Sequence, residues 1–371
     1  MNFPITKPIM VKRPRSASMD EMIAVSARLA IIGMGLIAFT FALEAGELLL
    51  APITLAIVIG LMFGPLAARV EALGVPPAVS ALIVVIVFMV LIAAAITSVV
   101  VPLSEWSRYL PQIWGKAKAI ISDWKDVFTS IESFRESLQS VMGSSGRMQV
   151  DVAEDSPITS AAWMAPTILT QLLVFLSSLY FFVATRNQIR VAVLALCFER
   201  RLRWRVAHIF RDVETLVSRY LLSITAINIG LGIAVAAAMW AIGVPSPLLW
   251  GALAGLLNYI VYIGPAVMAV VLACVGLATG EGLMGAALPP LAYLTLNLIE
   301  AQFVTPHVVG RTLTLNPFLV FITLAFWIWV WGAIGGFIAV PILLVLTVMV
   351  RHIIPGNHRR HAAIQNGIEE V

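Results

Sequence analysis

A carboxylate stranded at the end of a long apolar run is the first residue here that needs a chemical explanation. Glu300 follows Leu296-Asn297-Leu298-Ile299 and precedes Ala301-Gln302. An ionised side chain at membrane depth costs at least ~2.5 kcal/mol, so it normally faces a wet cavity or a partner. Asn297 lies one helical turn earlier on the same face. Glu300, Asn297 and Gln302 are therefore candidates to hold a proton, a cation or a polar group of a substrate. The alternative is a structural carboxylate near a helix end, bonded to a neighbouring helix. A second group, Asn258, Tyr259 and Tyr262, stands just before Gly264-Pro265. A helix broken there exposes backbone N–H and C=O groups that can bind a polar ligand where they line a cavity. The alternative is that the tyrosines mark a membrane interface. Gly335, Gly336 and Pro341 bring no side-chain chemistry, but they can interrupt a second long helix in the same way.

These residues need apolar helices to position them. Of 371 residues, 60% are hydrophobic and 12% charged. A soluble domain carries about 25% charged residues, so a water-facing surface cannot be covered here. Several apolar runs reach the roughly 20 residues that cross a ~30 Å hydrocarbon layer. The expected organisation is a cytoplasmic tail over 1–23, three transmembrane helices within 24–101, a soluble insert over 102–158, a core over 159–350 and a second tail over 351–371. Basic residues crowd 185–219, including Arg186, Arg190, Arg200, Arg201, Arg203, Arg205 and Arg211. By the positive-inside rule this segment and both termini are cytoplasmic, and the mildly acidic insert is outside. The insert carries a heptad seam from Trp106 through Leu110, Ile113, Ile120, Val127 and Phe134 to Val141. Such a narrow stripe needs a partner, which predicts a homo-oligomer.

Two runs are too long for a single crossing. Ser246–Thr279 would span about 50 Å as one helix, and Asn316–Val350 about as much. The first is interrupted at Gly264-Pro265, the second at Gly335-Gly336 and Pro341. Pro247 stands 18 residues before Pro265, and Pro317 stands 18 residues before Gly335. Paired, Gly/Pro-interrupted segments are a mark of repeats in secondary transporters, with the site at the breaks. The expected fold is all-α and polytopic, with about eight hydrophobic segments, the sixth and eighth broken or re-entrant. Either both long runs cross, giving eight spans, or both are re-entrant, giving six spans and two hairpins.

Two stretches resemble the autoinducer-2 exporter family of bacterial membrane proteins. The first runs from Pro247-Leu248-Leu249-Trp250-Gly251 through Asn258-Tyr259 to Tyr262-Ile263-Gly264-Pro265. The second runs from Asn297-Leu298-Ile299-Glu300 through Pro306, Gly310 and Leu315-Asn316-Pro317 to Gly335-Gly336 and Ala339-Val340-Pro341. The chain departs from the family's pattern at Val261, where a proline is usual. The resemblance implies export of a small molecule from the bacterial cytoplasm across the inner membrane. Cation–proton exchange is also ascribed to some members.

Sequence motifs narrow the function further. There is no HExxH, Walker A loop, GxSxG or dinucleotide fingerprint, so neither enzymatic chemistry nor ATP hydrolysis has a seat. The expectation is a secondary transporter, not an enzyme and without cofactor or metal, that exports a small polar molecule of the autoinducer-2 kind. Glu300 is the candidate for coupling to a proton or sodium. The partners are the lipid bilayer, the substrate and further copies of the chain, not nucleic acid. An oligomeric pore and a non-transporting scaffold are the alternatives. The Arg200–Arg205 cluster suits anionic headgroups. The aromatic run Phe326–Trp331 suits an interfacial belt or helix packing. The GxxxG spacings at Gly251–Gly255, Gly276–Gly280 and Gly332–Gly336 suit close packing.

Overall fold

The computed structural model describes residues 19–106, 115, 157–309 and 315–353, and among these there is no strand. Most of both tails and the heptad seam beyond Trp106 lie outside the described residues, while 19–23 open the first helix and 351–353 close the last.

α1 (Met19–Ala45) belongs to one compact unit, and the residues from Leu48 onward form a second. The second unit holds α2 (Glu47–Ala72), α3 (Pro77–Trp106), α4 (Pro157–Ala195), α5 (Arg200–Ile242), α6 (Pro247–Leu257), α7 (Ile263–Thr279), α8 (Gly282–Ile299), a π-helical turn (Glu300–Val304), α9 (Thr305–Val309) and α10 (Pro317–Ile353). Six of the described helices, α1 to α5 and α10, are long and apolar enough to cross a membrane.

Two cores organise the second unit. Ala56, Ile59 and Phe63 of α2 pack with Val84 of α3 and with Phe175 and Leu179 of α4. Phe88 links them, edge-on to Phe63 at 6.4 Å and tilted against Phe175 at 5.1 Å between ring centroids. The other core joins Val235 and Met239 of α5, Leu249 and Trp250 of α6, Leu272 of α7 and Tyr293 of α8. Trp106, at the end of α3, meets Trp250 edge-on at 4.8 Å. The indole N–H of Trp250 donates to the carbonyl of Pro245 at 3.0 Å, which satisfies its polar edge.

Small residues let α5 and α6 approach closely. A Cβ on Gly232 would sit 2.8 Å from the carbonyl oxygen of Gly251, and one on Gly255 equally close to that of Asn228. Gly276 of α7 lies against Ala286 of α8 in the same manner. These contacts account for the GxxxG spacings at Gly251 and Gly276 as packing devices.

α5 joins the basic segment to the apolar span that follows it. One helix of 43 residues begins at Arg200 and runs to Ile242. At 1.5 Å per residue it is about 65 Å long, so its basic first half extends well beyond a hydrocarbon layer. No proline or glycine interrupts it before Gly230, which explains the continuity.

Both long apolar runs are broken, and the backbone shows where. α6 has only 11 residues and ends at Leu257. Tyr262 then takes φ +66° before α7 begins at Ile263. In α10, Trp331 and Gly332 leave the helical region, with φ +54° at Gly332. The kinks therefore lie two to four residues upstream of Gly264-Pro265 and Gly335-Gly336, a correction to the expected positions. Gly264 and Gly335 serve the fold-back itself: a Cβ on either would lie 1.8 Å from the carbonyl oxygen of Leu257 or Trp327, respectively. Only glycine fits such an approach. Pro265 falls in the first turn of α7, where no helical donor is lost. Pro341 is buried inside the second half of α10 and does not break it, a further correction.

Candidate functional site

The two breaks meet. The Tyr259 and Phe337 rings lie 5.2 Å apart, centroid to centroid. A Cβ on Gly336 would come within 2.9 Å of Cγ2 of Ile260. Segments 76 to 78 residues apart in sequence thus build one junction.

Polar side chains tie the first break to α5. Asn258 Nδ2 donates to Asn228 Oδ1 at 2.9 Å, and Tyr259 Oη donates to Thr225 Oγ1 at 2.9 Å. Thr225 passes its own proton to the carbonyl of Leu221 at 2.7 Å. Asn228 is 2% exposed, and its Nδ2 has no hydrogen-bond partner among the described residues. The break at Asn258–Tyr262 thus ends its polar groups on one face of α5. Tyr262 is 54% exposed and takes no part in this cluster.

Glu300 sits elsewhere, on the π-turn. The Thr305 backbone N–H donates to the Glu300 carbonyl, an i to i−5 bond. Pro306 supplies the cause: its ring crowds the preceding turn and it has no N–H to close an α-helical bond. Wide turns of this type occur frequently at functional sites. The Thr305 hydroxyl also donates to Glu300 Oε1. Glu300 and Asn297 are half-buried, while Gln302 is exposed. Tyr293, one turn before Asn297, is fully buried, and its hydroxyl has no partner among the described residues.

Glu300 opens on a pocket of about 390 Å³ between α5, α8 and the π-turn. Ala226, Gly230 and Ala234 line one side at steps of four along α5, and Ile299 and Val304 line the other. Glu300 is the one charged or hydrogen-bonding side chain among the residues lining it. Asn258, Tyr259 and Tyr262 do not line it, so the expected site residues fall into two separate places. α5 joins them, with Asn228 facing the break and Ile227 and Gly230 walling the pocket.

A third polar contact fastens α4 to α2. Arg186 donates to the carbonyl of Gly64 at 2.8 Å and pairs with Glu71 at 2.9 Å, both side chains being largely buried. Arg186 is visible in the sequence only as part of the basic segment. Thr225 and Asn228 stand at i, i+3 in the mostly apolar second half of α5, a spacing visible in the sequence. Tyr293 could have been noticed at four and seven residues before Asn297 and Glu300.

Among the described residues no group of three or more His, Cys, Asp or Glu side chains is placed to hold a metal. The helices, their exposed apolar faces and the two broken segments are those of a polytopic α-helical membrane protein. A sequence model described as AI-2E family transporter matches residues 29–354, and the chain belongs to that family. AI-2 transport protein TqsA of Escherichia coli K12 is 30% identical over 81% of this chain and 85% of its own length. MT0215 of Mycobacterium tuberculosis is 24% identical over 89% of this chain and 90% of its own. YrrI of Bacillus subtilis, whose name groups it with transport proteins, is 27% identical over 40% of this chain and 42% of its own. The chain is thus a multi-pass bacterial membrane protein of transport and not an enzyme.

Proposed function

We propose that the chain exports a small polar molecule of the autoinducer-2 kind, in exchange for a proton or sodium ion at Glu300. The observation that carries this reading is the junction of the two breaks, where Tyr259 meets Phe337 and Gly336 meets Ile260. Helix breaks at membrane depth are stable only where they line a cavity or are buried in protein, which makes such a junction the natural seat of a polar solute. TqsA, named for AI-2 transport, supports the choice of solute.

Glu300 supplies the coupling in this reading. A change of charge in its pocket alters the balance of forces on α5, whose Ile227 and Gly230 form the wall. Asn228 and Thr225 on the same helix hold the first break. Occupancy of the carboxylate and geometry of the break therefore share one rigid element. The topology that suits this best has six spans and two re-entrant hairpins, α6–α7 and the two halves of α10, with both termini and the Arg186–Arg211 segment cytoplasmic. The insert over 102–158 is outside and contributes to a homo-oligomer.

Flux in proteoliposomes is the test. With an imposed pH or sodium gradient, wild type should accumulate autoinducer-2, and Glu300→Gln should lose the gradient-driven part while inserting normally. Glutamine keeps the size and most hydrogen bonds but cannot titrate. Equal, gradient-independent flux in both proteins would indicate a passive pore and overturn the coupling.

A further inference from the structure

The pocket beside Glu300 has a composition that does not match the polar solute assigned to the breaks. Nine of its ten lining residues are apolar, and the tenth is the carboxylate. A polyol placed there would lose its hydrogen bonds to water and regain almost none, because the walls offer no side-chain donors or acceptors beyond Glu300. A divalent cation fares no better, since such ions gather about six or more oxygen ligands and one carboxylate cannot supply them. A molecule with one positive charge and a hydrocarbon body satisfies both features. Its charge neutralises a carboxylate whose side-chain hydrogen-bond partner among the described residues is the Thr305 hydroxyl. Its body covers Ala226, Gly230 and Ala234 on one side and Ile299 and Val304 on the other. The volume of about 390 Å³ lies within the range of about 300–1,000 Å³ usual for small organic ligands.

We infer that the α5/α8 pocket is a binding site for a lipophilic organic monocation, with its ammonium on Glu300 and its apolar body along the small-residue stripe of α5. The inference rests on the exchange role proposed for Glu300 above and does not require that autoinducer-2 be the exported solute. Gly230 gives it a sharp test. A Cβ there would meet nothing within 4 Å, and the residue lines the pocket, so a larger side chain fills the cavity without displacing backbone.

The experiment is isothermal titration of the detergent-solubilised full chain with 4-phenylbutylamine, its neutral counterpart 4-phenylbutanol, and ribose. The ammonium should bind saturably and at least tenfold more tightly than the alcohol, and ribose should not compete. Glu300→Gln should remove the difference between amine and alcohol. Gly230→Leu should weaken both at least tenfold, and Ala226→Leu provides the same test should Gly230→Leu fail to yield monodisperse protein. Equal affinity for amine and alcohol in wild type would overturn the site. So would amine binding unchanged in Glu300→Gln and the blocking variants, which is the signature of partition into detergent or lipid. Loss of autoinducer-2 flux with intact amine binding would count against export alone and leave the pocket standing.

Discussion

The two broken segments reach the same geometry by different chemistry. At the first, between α6 and α7, polar side chains hold the turn: Asn258 to Asn228 and Tyr259 to Thr225, both reaching across to α5. At the second, within α10, aromatic rings lead into the turn. Trp327 lies 4.9 Å from Trp331 at the kink, and Phe326 lies edge-on to Trp327 at 5.4 Å. Both breaks use a glycine pressed on a carbonyl seven or eight residues earlier, Gly264 on Leu257 and Gly335 on Trp327. The fold-back is thus a steric device common to both, while its fastening is polar in one and apolar in the other. A polar fastening can exchange its partners for those of a solute. An apolar one resists water and acts as a wedge. Under the proposed function, solute contact falls to the first break and support to the second.

The largest effect should come from the shared device. Gly264→Ala or Gly335→Ala places a methyl carbon within bonding distance of a backbone oxygen, which no rotamer change can relieve. Overpacking against mobile side chains costs about 1–3 kcal/mol, and here the obstacle is backbone. Neither variant should give a monodisperse peak in mild detergent. Gly230→Ala, with open space around the new atom, should behave as wild type. A well-folded Gly264→Ala protein would show that the fold-back at the first break is not fixed by this contact.

The long apolar runs, their excess length and the matched spacing of Pro247, Pro265, Pro317 and Gly335 are local properties, so the breaks could be read from the chain. Their offsets could not. Gly-Pro suggests a kink at itself, yet Gly264 is there for clearance and Pro265 for the first turn of a helix, while Tyr262 bears the positive φ. Glu300 was conspicuous because a charge in an apolar run is costly wherever the run folds. Its π-turn was not, because the only local cue is Pro306 one turn later. Asn228 stayed hidden for a different reason. A single asparagine in an apolar helix acquires meaning only with its partner, 30 residues on, and that pairing is set by the crossing of α5 and α6 at Gly232, Gly251 and Gly255.

An intermediate effect should come from the asparagine pair. In a double-mutant cycle of Asn228→Ala and Asn258→Ala, each single change strands the other amide in a largely apolar interface. Hydrogen bonds between membrane helices contribute about 0.6 kcal/mol on average and about 1.7 at most. The deep burial of Asn228 places its pairing with Asn258 toward the upper end. Unfolding in a denaturing detergent should therefore give a coupling energy of about 1–1.7 kcal/mol. No coupling would mean that the first break, like the second, is held by packing.

The smallest effect belongs to Tyr259→Phe. The hydroxyl donates to Thr225 Oγ1, but Thr225 itself donates to the carbonyl of Leu221 and keeps that bond in the variant. No buried donor is stranded, and the ring remains to pack on Phe337. The loss should be that of one hydrogen bond without a desolvation penalty, about 0.5 kcal/mol in the same unfolding titration. Stability should barely change, yet solute flux should fall, because the hydroxyl is one of the groups free to turn from α5 to the solute. A structural tyrosine would show the opposite pattern, with full flux and a measurable loss of stability. That outcome would move the solute away from the polar break and erase the functional distinction between the two.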